Sequence, residues 1–435
     1  MPNLHSACSC DQSNGSVETF CNQCGKWIDP ASLRGQNMHP YPPSVIPYAF
    51  QYKAYNITNL PKPNLGDDAG LIIVPNHLAM IDREKLVLLT PGSSKTMPPI
   101  LVPGANPFFC SYLRPFLVVP AHDGIYCCHI GMLDQKPFWH DLPGDMVTQA
   151  AIYDIKPYKR AFFGHSDGIA VYDASPESLK NNRSGETYLI HLELAFEERL
   201  RTPQVLDDLI FFITSYGRII SIKARGSKKD VIDSLNERSD LVKQGVVAGA
   251  PLIINNSIYY EEIGFASNHK VSIALKHFDA RKPSYSPKVV QSWSASDLDI
   301  KTLRMNEHRE NHSPIPIGQK RIALSSLDFK TLIVCPHEKE DLHSTIIDTQ
   351  NHQYTMCHWN ALCFAGGMIL VCDQPNGILI PVLLQDQRIE LNHVIQLPMG
   401  ADEMVTNALV YFYHENQGYI YVVSNAQMYL IYNRY

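Results

Sequence analysis

One short pattern recurs along this chain and limits what it can fold into. An Asp-Gly or Asn-Gly pair stands between two apolar runs of four to seven residues. Asp123-Gly124 sits within Leu117–Ile130, Asp167-Gly168 within Ala161–Tyr172, and Asn376-Gly377 within Met368–Ile380. Related turns fall at Tyr216-Gly217, Asn255-Asn256 and Gln417-Gly418, and a weaker pair of runs lies at Leu71–Ile81. Asp-Gly and Asn-Gly supply the positive φ that a tight hairpin turn needs, and the flanks are rich in β-branched and aromatic residues. Each unit reads as a hairpin.

The spacing carries the argument further. Gly124 to Gly168 is 44 residues, Gly217 follows after 49 and Asn256 after 39, and Gly377 to Gly418 is 41. A period of about 40–50 residues with a few short strands per unit is the signature of a propeller blade. A four-stranded sheet cannot bury both faces alone, whereas stacking such sheets around an axis buries them and limits free edges. The predicted fold class is all-β, with a β-propeller as the bulk of the chain. About 390 residues at roughly 45–55 per blade give seven blades, with eight possible. A pair of β-sandwiches is the alternative architecture.

Composition agrees. Of 435 residues, 45% are hydrophobic and only 18% charged, too few charges for a coiled coil or a disordered chain. Lys+Arg number 37 against 43 Asp+Glu, a formal charge of −6, and no basic run stands out. Nucleic acid is therefore not an expected partner. The longest plain apolar stretch, Ala361–Cys372, has twelve residues, whereas a bilayer span needs about 20. No membrane partner is expected. The opening MPNLHSACSC lacks a cationic start and an apolar core, so a cytoplasmic location is expected.

Four of the eleven cysteines crowd the first 24 residues: Cys8, Cys10, Cys21 and Cys24. Two residues between Cys21 and Cys24 let both sulfurs face one point, and Gly25 frees the backbone behind them. The ten residues between the pairs suit a short hairpin turning at Asn14-Gly15. The segment from about residue 5 to 30 resembles a zinc ribbon of the short double-knuckle kind common at the front of bacterial proteins. The resemblance implies structural Zn2+ held by Cys8, Cys10, Cys21 and Cys24, a closed thiolate set with no open position for chemistry. The first pair is one residue shorter than the usual knuckle, and His5 is a possible substitute for Cys10. The expected domains are a ribbon over 1–34, a polar, Pro-rich linker over 35–44 and the propeller over 45–435.

The repeat resembles the quinoprotein-type (PQQ-like) propellers, whose blades read apolar run, Asp-Gly, apolar run. Gln244–Ile254 is similar to that family's lead-in to a blade. The chain has only four Trp, short of that family's docking motif in each blade, and no quinone cofactor is carried over.

Other clusters read as bland. His337, Glu338, Glu340, Asp341 and His343 read as a solvated loop. Cys357-His358, Cys363 and Cys372 read as buried thiols, and Cys127-Cys128 as strand neighbours on opposite faces. Leu303–Pro316 reads as an exposed loop, Thr187–Leu200 as mixed, and Ser227–Lys243 as an amphipathic surface helix between blades. The expected function is a non-enzymatic scaffold for protein partners in an intracellular, bacterial-type assembly. The alternative is an enzyme with its site at the mouth of the central channel.

Overall fold

The computed structural model describes residues 55–433 apart from stretches between strands, the longest being 296–314 and 349–361. The zinc-ribbon segment, with Cys8, Cys10, Cys21 and Cys24, lies outside the described residues. Among the described residues the strands form eight antiparallel sheets of four strands, with a short fifth strand in one. Sheets 1 to 7 span 70–101, 111–141, 151–191, 204–238, 245–295, 315–348 and 362–396, and sheet 8 joins 410–433 to 55–60.

The first strand of each sheet contacts the first strand of the next, and sheet 8 returns to sheet 1 in the same way. The sheets therefore close into a ring. Tyr55–Leu60 pairs with Met428–Asn433 as the outer strand of sheet 8, so the two ends of the ring share one sheet. This closure leaves no unfinished sheet where the chain meets itself.

Seven sheets are expected, with eight possible, and eight are present among the described residues. The weak pair at Leu71–Ile81 is the start of a full sheet. The turn intervals also mix two kinds of position. Asp123-Gly124, Asp167-Gly168 and Asn376-Gly377 join second to third strands, whereas Asn256 lies between first and second strands and Gln417-Gly418 begins a second strand.

Each inter-sheet junction described has its own core. Phe163, Ala170 and Tyr172 of sheet 3 pack on Phe116, Ile125 and Cys127 of sheet 2. Phe162, Ile169 and Val171 pack the other way, on Ile210, Phe212 and Ile220 of sheet 4. Strand alternation sends neighbouring residues to opposite faces, and both faces are covered. Phe116–Ala121 and Gly168–Asp173 are accordingly buried at every position. Cys127 and Cys128 belong to different cores, as their adjacency in a strand predicts.

The helix predicted over Ser227–Lys243 is much shorter. α2 covers Lys228–Asp233, started by a reciprocal cap between Ser227 and Asp230. Beyond it Asn236–Arg238 pairs with Ile219–Ser221 as the fourth strand of sheet 4, so the excursion lies within a sheet rather than between two. The open edge of the third strand captures residues that local helical preference would have kept. Glu186–His191 is likewise a strand, and an unpredicted helix, α1 (Pro176–Asn181), precedes it.

A buried guanidinium ties sheets 3 and 4. Arg160 Nε donates to Asp173 Oδ2 at 2.6 Å, Nη1 to the Ala224 carbonyl at 2.7 Å and Nη2 to that of Gly226 at 2.8 Å. Asp173 Oδ1 accepts from the Ser175 amide at 2.8 Å. Removing one partner strands a carboxylate and two carbonyls away from water. Arg160→Ala should cost about 3–5 kcal/mol, measured by urea denaturation.

Glu261, in the second strand of sheet 5, is buried, and its Oε1 has no hydrogen-bond partner. Burial pushes its carboxyl from 4.5 up to about 8. The protonated form therefore suits the folded state. Its contribution is full below the unfolded value and fades as pH rises through the folded one, by at most about 1.4 kcal/mol per pH unit. Thermal melting should show the Glu261 contribution to stability being lost from about pH 4.5 to about pH 8, and that loss should be absent in Glu261→Gln.

Candidate interaction surfaces

An antiparallel meander sorts its connections. Second-to-third turns and the links between sheets open on one face of the ring; first-to-second and third-to-fourth connections open on the other. The chain therefore visits the two faces alternately.

On the first face, the link from sheet 3 to sheet 4 presents Phe196 to solvent, 87% exposed. The loop beneath it is locked. The Ala195 amide donates to Glu198 Oε2 at 2.9 Å, and the Tyr216 hydroxyl donates to the Phe196 carbonyl at 2.8 Å. Arg218 donates to both Glu198 carboxylate oxygens, at 3.1 and 2.8 Å, and to the Glu193 carbonyl at 3.0 Å. On the C-terminal side, the Arg199 amide donates to Ser215 Oγ at 3.0 Å and the Ser215 amide returns a bond to the Arg199 carbonyl at 2.7 Å. Glu197 adopts φ 64°, a left-handed conformation that costs a non-glycine residue about 1 kcal/mol. The result is a rigid finger carrying an aromatic ring that touches no core.

This face is acidic. Among the described residues it exposes nine carboxylates, including Asp123, Asp145, Asp167, Glu193 and Glu197, against only Arg83 and Arg199. His122 lies between two of them. Its Nδ1 donates to Asp145 Oδ1 at 2.7 Å and its Nε2 lies 3.1 Å from Asp123 Oδ2. The hydrogen bond to Asp145, then the charges of Asp123 and Asp145, raise its pKa. Farther round, Glu403 accepts from Ser424, Tyr429 and Gln427. Burial opposes its charge, but those bonds and the Gly400 amide outweigh burial and lower its pKa.

The opposite face is basic. Among the described residues it exposes twelve Lys and Arg side chains against Glu177, Asp207, Asp230 and Asp233, with Asp208 and Asp279 half-exposed. Arg114 and Lys136 come from sheet 2, and Lys156, Lys180 and Arg183 from sheet 3. Lys223, Arg225, Lys228 and Lys229 come from sheet 4, and Arg281, Lys282 and Lys288 from sheet 5. Arg225, Arg281 and Lys282 pair with Asp208, Asp207 and Asp279 at 2.8, 3.2 and 3.6 Å. Lys228 lies over the Tyr188 ring, 4.7 Å from its centre. Two open clefts of about 440 and 500 Å³ indent this face at the junctions of sheet 4 with its neighbours; Arg281 and Asp207 line the first, and Lys223, Arg225, Asp230 and Asp233 the second.

The sequence-predicted sites contribute little to either surface. His337, Glu338, Glu340, Asp341, His343, Cys357 and His358 lie outside the described residues. Cys372 is buried. Burial raises the Cys127 thiol far above its ordinary value and pushes that of Cys128 up to about 12. Among the described residues no group of three or more His, Cys, Asp or Glu could hold a metal ion. Phe196 was legible only as a lone aromatic in an acidic stretch, Glu193–Glu198, and the basic face had no linear signal.

No family model matches the sequence, and no curated protein matches it significantly. Solved structures do share its shape. BamB from Moraxella catarrhalis superposes with a TM-score of 0.54 at 12% identity, covering 87% of this chain and 98% of that one. The computationally designed Ika8 protein gives 0.55 at 11%, covering 86% and 98%. Sqt1 of Saccharomyces cerevisiae gives 0.56 at 10%, covering 87% and 97%. At such identities the likeness speaks of architecture alone. Together with the closed ring of four-stranded sheets, it makes this chain a β-propeller.

Proposed function

We propose that the chain is a non-enzymatic scaffold that holds protein partners in an intracellular assembly of bacterial type. The observation that supports this most is Phe196. A large apolar ring on a pre-ordered loop offers a partner buried area with little ordering cost, which is how aromatic anchors dominate interfaces. The surrounding carboxylates would steer a partner with an apolar pocket and a basic rim.

Residues 1–34 are proposed as a second docking module, a zinc ribbon hung on the linker 35–44. Four thiolates, Cys8, Cys10, Cys21 and Cys24, form a donor set suited to Zn2+, and so small a unit would depend on the metal for its folding.

Affinity capture from native lysate, with the full chain as bait, tests the anchor. Phe196→Ala should lower retention of a specific partner by about thirtyfold, in line with truncation of an interface anchor. Undiminished capture would refute the assignment. Metal analysis tests the ribbon: the full chain should carry stoichiometric zinc, and Cys24→Ser should lose it.

A further inference from the structure

We propose that the basic face docks on the surface of an anionic phospholipid bilayer. This goes beyond the scaffold reading and uses the opposite face from Phe196.

The chain as a whole is acidic, with a formal charge of −6, so the excess of exposed cations over carboxylates among the described residues of one face is a product of topology. The cations come from four consecutive sheets and from connections that all end on the same side of the ring. Eight of the twelve are lysines. Among the described residues, no carboxylate lies within ion-pair distance of Lys136, Lys156, Lys180, Lys223 or Lys288. Lysine ammoniums are hydrated point charges without the planar fork that arginine offers, and lysine is depleted from protein–protein interfaces. An array of them suits a diffuse anionic plane better than a shaped protein partner. Each cation near such a surface adds a modest, salt-sensitive attraction.

A second observation favours lipid over nucleic acid. Large apolar side chains stand exposed among these cations: Met132 beside Lys136, Ile232 in α2 beside Lys228 and Lys229, and Val289 beside Lys288. Aliphatic groups flanked by lysines can enter the headgroup–acyl boundary while the ammoniums stay at the phosphates. Of the aromatic rings near this face, Tyr158 is half-buried, and the exposed Trp139 of sheet 2 leans against Gly124, toward the opposite face, so neither offers these cations a platform for base stacking. The acidic face would be repelled by the same membrane. Docking therefore has one polarity and leaves Phe196 pointing away from the bilayer.

Flotation of the full chain with vesicles tests this. Vesicles of phosphatidylcholine with about 30% phosphatidylserine should bind at least about tenfold more tightly than phosphatidylcholine alone, and about 0.5 M salt should release the protein. The triple variant Lys156→Glu/Lys228→Glu/Lys229→Glu should lose binding by about tenfold or more. Ile232→Asp, which leaves the lysines in place, should weaken it independently. Unchanged thermal melting would establish that both variants fold, and Phe196→Ala should bind vesicles like the wild type. Equal binding to neutral vesicles, no flotation at low salt, or undiminished binding by both face variants would overturn the proposal. So would binding of duplex DNA or polyglutamate in place of vesicles. Loss of vesicle binding with retained lysate capture, or the reverse, separates this proposal from the scaffold reading.

Discussion

Sheets 1 to 4 of this protein each have two apolar faces, and neither can be left to water. Phe162 and Phe163 are adjacent in one strand, and each is buried against a different neighbouring sheet. The same holds for Cys127 and Cys128. A stack of such two-faced sheets is best closed without ends, and the first-strand contacts around the ring, with the pairing of Tyr55–Leu60 and Met428–Asn433, close it. The hydrophobic stabilisation is thus shared among repeated junctions, while polar ties such as Arg160–Asp173 fix how sheets 3 and 4 sit against each other.

That construction has an electrostatic consequence. A strand meander sends alternate connections to opposite faces, so charges that alternate along the chain separate in space. Arg114 and Asp123 lie nine residues apart in sequence, as do Lys136 and Asp145, yet the members of each pair belong to opposite faces. A net charge near zero locally, and negative overall, can therefore coexist with a strongly basic surface. Arguments from net charge speak to solubility and average behaviour, whereas recognition responds to the local field.

The Phe196 loop shows how the same scaffold makes a rigid projection from an irregular segment. Its shape rests on side chains of the next sheet, chiefly Arg218, Tyr216 and Ser215. The link belongs to sheet 3 by sequence and to sheet 4 by hydrogen bonding. Ala105↔Ala121, Met146↔His165 and Val405↔Ser424 are bridges of the same kind in other links. These links thus keep a defined path although they form no regular strand.

The sequence alone determined the all-β class, the hairpin unit, the approximate period and the strand placement of the buried thiols. These follow from local chemistry: positive φ at Asp-Gly and Asn-Gly turns, and strand alternation between neighbouring residues. The eighth sheet, the conversion of Asn236–Arg238 from predicted helix to edge strand, and the anchoring of the Phe196 loop were decided only in three dimensions. Each depends on partners distant in the chain: the open edge of Ile219–Ser221, the terminal strand that closes the ring, and the side chains of the following sheet. The two charged faces are the clearest case, because a one-dimensional reading averages over the very alternation that the fold pulls apart.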